Sequence, residues 1–89
     1  MYYTYVLLSF KDKKFYIGYT NDIVKRVRNH NKGKVTSTKY RQPLKLIYYE
    51  ACLNKDDAIT REKYLKSGVG KRYIKNRLKK FLDKNLFRG

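Results

Sequence analysis

The apolar periodicities along the chain follow the order strand, strand, helix, strand, helix, helix, which predicts an α+β fold: a small antiparallel or mixed sheet flanked by three helices. Two quantities bound that reading. Eighty-nine residues are enough for one hydrophobic core and too few for two, so a single domain is expected over residues 1–89. Hydrophobic residues make up 42% of the chain and aromatic residues 16%. Burying that much apolar surface offsets the entropy of ordering, which excludes a disordered basic tail.

Strand one occupies about residues 3–9, where Tyr3, Tyr5 and Leu7 alternate with Thr4, Val6 and Leu8 at the two-residue period of a pleated strand. Lys11-Asp12-Lys13-Lys14 breaks the pattern, a second strand runs from Phe15 to Thr20, and a hairpin is the economical connection. Asn21 or Asp22 caps a first helix over roughly residues 22–31, with Ile23, Val24 and Val27 at helical spacing. The stretch from Asn31 to Pro43 is basic and aperiodic, and reads as a loop. Leu44 to Tyr49 reads as a third strand ending at Glu50. After the cap cluster Asn54-Lys55-Asp56-Asp57, a second helix of about residues 56–67 places Ala58, Ile59, Glu62 and Leu65 on one stripe. Ser67-Gly68-Val69-Gly70 punctuates the chain before a third helix whose stripe is Ile74, Leu78, Phe81 and Leu82.

Charge narrows the partners. Lys and Arg number 23 against 7 Asp and Glu, a formal net charge of +16, well beyond what solubility requires of so short a chain. A polyanion is the expected partner. Lys32, Lys34, Lys39 and Arg41 in the loop and Lys71, Arg72 and Lys75 on the third helix form the footprint expected for a sugar-phosphate backbone. No run approaches the roughly 18 consecutive apolar residues of a membrane span. Met1-Tyr2-Tyr3-Thr4 lacks the layout of a signal peptide, so a cytoplasmic location with no membrane partner is expected. Cys52 is a lone cysteine and His30 a lone histidine, which excludes an intrachain disulfide and a Cys/His zinc cluster; a metal here must rest on oxygen ligands.

Three features break the folding pattern. Glu62 sits on an apolar stripe, where a carboxylate needs a divalent ion or a lysine or arginine to offset its desolvation. The other six acidic residues lie in a turn, at helix starts, at a strand end or after the third helix. Glu62 is therefore the strongest candidate ligand for a cation such as Mg²⁺, completed by substrate phosphates and water. On strand two, Tyr16, Gly18 and Thr20 share a face, and the missing side chain at Gly18 leaves a gap beside a phenol that a ligand or another chain segment can enter. Tyr5 is the candidate neighbour across the hairpin. Arg26 and His30 stand four residues apart on one face of the first helix, and an arginine fork suits phosphate oxygens.

Taken in order, Thr4-Tyr5, Tyr16-Ile17-Gly18, Arg26, His30 and Glu62 resemble the motifs of the GIY-YIG nuclease superfamily. The chain looks closest to its small stand-alone members and more distantly resembles the nuclease domains of the bacterial excision-repair incision protein and of homing endonucleases. The resemblance spans residues 2–82. It implies a three-stranded antiparallel sheet flanked by helices, and a phosphodiesterase site on one sheet face using a single Mg²⁺ or Mn²⁺. Tyr5 corresponds to the tyrosine of the first motif, written here Tyr3-Thr4-Tyr5, and Tyr16 to that of the second. By the same resemblance Tyr16 acts as general base or orients the attacking water, Arg26 binds the scissile phosphate, His30 assists the water or the phosphate, and Glu62 holds the metal. Tyrosine is a poor base at its reference pKa of about 10. Either nearby cations lower that value or a metal-bound hydroxide does the work.

The expected activity is therefore metal-dependent endonucleolytic hydrolysis of DNA, selected by nucleic-acid structure or by a partner protein that supplies targeting. Two alternatives stand beside it. One is a basic DNA- or RNA-binding module that keeps the fold without catalysis. The other is a structural protein of a ribonucleoprotein assembly, which gives no reason for Tyr16, Arg26 and Glu62 to occur together.

Overall fold

The computed structural model describes residues 1–85; residues 86–89, the end of the expected domain, lie outside the described residues. Strands β1 (Tyr2–Ser9) and β2 (Phe15–Thr20) form a hairpin, followed by α1 (Ile23–Asn31), β3 (Leu44–Cys52), α2 (Lys55–Lys66), α3 (Gly68–Arg77) and α4 (Lys79–Asn85). The sheet order is β2-β1-β3 and both pairings are antiparallel, as the α+β expectation requires.

Why β1 lies in the middle follows from its composition. Every residue from Thr4 to Ser9 is buried, which only a strand paired on both edges and covered on both faces achieves. On one face Tyr5 and Leu7 pack with Leu44, Leu46 and Tyr16 and with Ile23 and Val27 of α1. On the other, Val6 packs with Leu65 of α2, Ile74 and Tyr73 of α3, and Ile17 and Ile47 of the neighbouring strands. A bulge opposite the Val6–Leu7 step moves the β3 register by one residue, pairing Val6 with Tyr48 and Leu7 with Leu46.

Local signals set most element ends. Asp22 caps α1 by accepting the Lys25 N–H at 3.1 Å, and Asn54 caps α2 by accepting the Asp56 N–H at 2.7 Å. Asn31 closes α1 onto β3 by copying a strand pairing with its side chain, donating to Leu44 O and accepting from Leu44 N–H, both at 2.8 Å.

The structure departs from the sequence-based expectation in three places. The stretch 31–43 holds a short 3₁₀ turn, Thr36–Thr38, with Thr38 fully buried. The break before α3 is one residue rather than four. Ser67 ends α2 and caps α3, its Oγ accepting the Gly70 N–H at 3.1 Å, so Gly68 and Gly70 lie inside the first turn of α3. Finally, the expected third helix is two. The backbone bends at Leu78 (φ −109, ψ 23), while Leu78 N–H still reaches Ile74 O and Leu82 N–H reaches Leu78 O at 2.9 Å. No glycine or proline marks the bend, so the apolar stripe runs through it without interruption.

Candidate active site

Tyr5 is the hub. Its cross-strand partner is Gly18, and the phenol lies over that glycine so closely that a Cβ there would come within 2.5 Å of the hydroxyl and 2.7 Å of Cζ. The gap expected beside Tyr16 is therefore filled by the Tyr5 ring, which explains the glycine at this position. From α1, Arg26 Nε donates to Tyr5 Oη at 3.1 Å, and His30 Nε2 stands 2.9 Å from the same oxygen. Behind the imidazole, Nδ1 lies 2.7 Å from Thr38 Oγ1, whose own hydroxyl reaches Val35 O. One tautomer satisfies the whole chain of bonds. His30 carries its proton on Nδ1 and donates to Thr38, and bare Nε2 accepts the Tyr5 hydroxyl proton.

Burial governs the ionisation of this cluster. It raises the pKa of Tyr5, against the opposing hydrogen bond and charge of Arg26. His30 is only 3% exposed, and burial followed by the Arg26 charge pushes its pKa down to about 4 from 6.5. The unfolded chain thus takes up a proton on His30 before the folded one does. The stability of the neutral imidazole is complete above pH 6.5 and drains away as pH falls toward 4. Because His30 is the one histidine, thermal unfolding followed from neutral pH down to about pH 5 isolates its effect. The melting temperature is expected to fall in the wild type and to stay nearly level in His30→Asn; a level wild-type curve refutes the buried neutral ring.

Tyr16 is held differently. Its hydroxyl donates to Asp12 Oδ2 and accepts from Arg41 Nε at 3.1 Å, while Arg41 also pairs with Asp12 at 3.2 Å. Burial, then the bond to Asp12, raises the Tyr16 pKa. Neither phenol is thus lowered toward a working base by the groups around it.

Glu62, on α2, has one of the two kinds of partner that its position allowed: Lys66, one turn on, places Nζ 3.1 Å from Oε2. The pair is not an internal lock. The Glu62 side chain is 16% exposed and that of Lys66 55%, and both line an open hollow of about 510 Å³ with Tyr5, Tyr16, Arg26 and His30. Strand alternation turns Tyr16 and Gly18 toward α1, and Ile17 and Tyr19 toward α2 and α3. All four residues line the hollow, so it wraps the outer edge of β2 rather than lying on a single sheet face.

The remaining acids are mostly spent elsewhere. Glu50 holds Arg61 through both carboxylate oxygens at 3.0 and 3.1 Å, Asp22 caps α1, and Asp56, Asp57 and Asp83 are exposed. Among the described residues no three His, Cys, Asp or Glu side chains gather as a metal cluster. Glu62 Oε1 has no protein partner among them, so the donor set suits one carboxylate in a coordination shell completed by phosphate and water. Of the seven basic residues singled out for nucleic acid, Lys71 joins the hollow and Arg41 joins Tyr16. Lys32, Lys34 and Lys39 are exposed on the segment after α1, and Arg72 and Lys75 on α3, away from the hollow's lining. Asp12, Thr38 and Lys66 are site residues that sequence reasoning missed. Only Lys66 carried a signal, its spacing of four from Glu62.

The chain is similar to several known proteins. The family model described as the GIY-YIG catalytic domain matches residues 1–80. The UPF0213 protein CPE1444 of Clostridium perfringens is 43% identical over 67 residues, 74% of this chain and 71% of its own. The UPF0213 protein SpyM50708 of Streptococcus pyogenes is 45% identical over 65 residues, 72% of this chain and 70% of its own. The solution NMR structure of the UPF0213 protein BH0048 from Bacillus halodurans has a TM-score of 0.51 and 33% identity, covering 83% of this chain and 82% of that one.

Proposed function

The chain belongs to the GIY-YIG family, a family of endonucleases, and from that premise we propose that it hydrolyses DNA phosphodiester bonds with one divalent cation, selecting its target by nucleic-acid structure. One observation supports this most strongly: Tyr5, Tyr16, Arg26 and Glu62, drawn from four different elements, all line a single open hollow.

Arg26 binds the phosphate. Its Nε is committed to Tyr5, and its two Nη groups have no hydrogen bond among the described residues. They form a fork of parallel donors for the oxygens of a scissile phosphate. Tyr5 and His30 hold that fork in place, so charge developing on the phosphate meets a donor that needs no reorganisation. Tyr16 orients the attacking water from the far wall. Glu62 holds the cation, Mg²⁺ or Mn²⁺, which supplies Lewis-acid polarisation of the phosphate when bound. Lys66 and Lys71, at the same hollow, attract the flanking phosphates, and the exposed Lys32, Lys34 and Lys39 extend that field along the strand.

The test uses plasmid and branched, flapped and single-stranded DNA with Mg²⁺ or Mn²⁺. Cleavage is expected with the wild type, to stop in excess chelator, and to slow about 10³-fold in Glu62→Gln, since loss of cation charge stabilisation is worth several kcal/mol. Cleavage at the wild-type rate by Glu62→Gln overturns the metal role, and absence of wild-type cleavage overturns the activity.

A further inference from the structure

Asp12 does more than its turn requires. A hairpin aspartate needs one oxygen to accept the backbone N–H two residues on, and Oδ1 does so from Lys14 at 2.9 Å. An asparagine would serve that purpose equally well. The second oxygen faces elsewhere, since the hairpin, with Lys13 at φ 62, folds Asp12 back beside its own strand so that Oδ2 accepts a hydrogen bond from the Tyr16 hydroxyl. Arg41, arriving from the segment before β3, braces both groups, with its Nε 3.1 Å from Tyr16 Oη and 3.2 Å from Asp12 Oδ2.

This arrangement answers the problem of a phenol as base. A tyrosine with a raised pKa already carries its proton and cannot keep a second one taken from water, but it can pass its own on as the new one arrives. We propose that Asp12 is the positioning residue of Tyr16 and the acceptor of its proton, so that water, Tyr16 and Asp12 form a relay for phosphodiester hydrolysis; this rests on the nuclease reading above. As the water oxygen bonds to phosphorus, its proton moves to Tyr16 Oη and the Tyr16 proton moves to Asp12 Oδ2. The bond from phosphorus to the leaving oxygen breaks with its electron pair, and that oxygen takes a proton from solvent. Tyr16 is neutral before and after the step. Its hydroxyl has two acceptor lone pairs, of which Arg41 uses one and the other is left for the water. Against burial, which raises it, the hydrogen bonds from Tyr16 and Lys14 hold the Asp12 pKa below the usual carboxylate range, so Asp12 is ionised at the start of the step and gives the relayed proton up to solvent afterwards.

The decisive variant is Asp12→Asn, which keeps the side-chain size and the bond from Lys14 N–H but cannot take a proton. Its expected kcat is about 10²-fold or more below wild type, in the range of general-base loss, with DNA binding and melting temperature close to wild type. Tyr16→Phe is expected to lose the same factor, and the double variant no more than either alone. A readout free of catalysis accompanies these rates. In chains carrying ¹³C-labelled tyrosine, the Tyr16 phenol is expected to titrate at lower pH in Asp12→Asn than in wild type. Wild-type rates in Asp12→Asn beside a slow Tyr16→Phe overturn the relay, as do losses that multiply in the double variant or an unmoved Tyr16 titration. A wild-type chain that cuts no DNA removes the nuclease reading and the relay together. Failure of the relay alone is recognised by wild-type cleavage that Asp12→Asn matches.

Discussion

Alanine at Gly70 is expected to leave the chain unfolded at physiological temperature. The corner between α2 and α3 turns on the single residue Ser67, so the first turn of α3 is pressed against the last turn of α2. A Cβ at position 70 would fall on the carbonyl oxygen of Tyr64 and lie 2.5 Å from Leu65 Cα. These are backbone atoms, without a rotamer to yield. The helices must therefore separate, and with them Leu65 and Ile74, which are fully buried against Val6 of the central strand. Overpacking costs about 1–3 kcal/mol where side chains can shift and more where, as here, backbone is struck, and a domain of this size has only about 4–13 kcal/mol in total. Gly68 is the control, because no atom lies within 4 Å of a Cβ there. Gly68→Ala is expected to hold stability or raise it by up to about 1 kcal/mol through helix propensity. Urea unfolding followed by circular dichroism separates the two. Equal midpoints for Gly70→Ala and wild type would show that the corner is not packed in this way.

That corner also shows what was legible in the sequence. Strand two matches its expected bounds, and the other strands and the first two helices shift by at most three residues, because alternation and cap residues act through local backbone geometry. Ser67-Gly68-Val69-Gly70 looks like a loop for an equally local reason, since glycine is a poor helix residue. Its place inside α3 is dictated by the approach of another helix, which no local pattern records. The bend at Leu78 is hidden because no glycine or proline marks it and the apolar stripe continues through it. In the candidate site, Glu62 stood out because charge on an apolar stripe is a local contradiction, and Gly18 because an interior strand glycine is one too. Asp12 did not, since aspartate in a hairpin turn contradicts nothing. Its second oxygen acquires meaning only when the turn brings Tyr16 beside it and a distant segment delivers Arg41. The reach of the hollow around β2, where the resemblance implied a site on one sheet face, also has no local signal in the sequence. The hollow reaches residues of both faces of β2, Tyr16 and Gly18 on one and Ile17 and Tyr19 on the other, together with Arg26 of α1 and Glu62 of α2.

Lysine at Arg26 is expected to abolish most cleavage although it keeps the charge. Arg26 is tied through Nε to the Tyr5 hydroxyl, a bond that requires a planar group with a donor inside the side chain as well as at its end. Lysine has a single terminal ammonium: it can reach Tyr5 or a phosphate, and cannot present a braced fork to both. Loss of one preorganised donor to developing charge costs about 10²–10³-fold in kcat, and Arg26→Lys and Arg26→Ala are both expected in that range. Binding of uncleaved DNA should change by less than about tenfold, since the other basic residues supply most of the attraction to the backbone. Tyr5→Phe sharpens the comparison. It leaves the guanidinium in place but removes its brace and the proton donor to His30, so its kcat is expected to fall between those of wild type and Arg26→Lys. Single-turnover cleavage rates and filter-binding affinities for the three variants decide the matter. An Arg26→Lys chain that cuts at the wild-type rate would mean that charge alone suffices at this position, and that the contact between Tyr5 and Arg26 serves the fold rather than the phosphate.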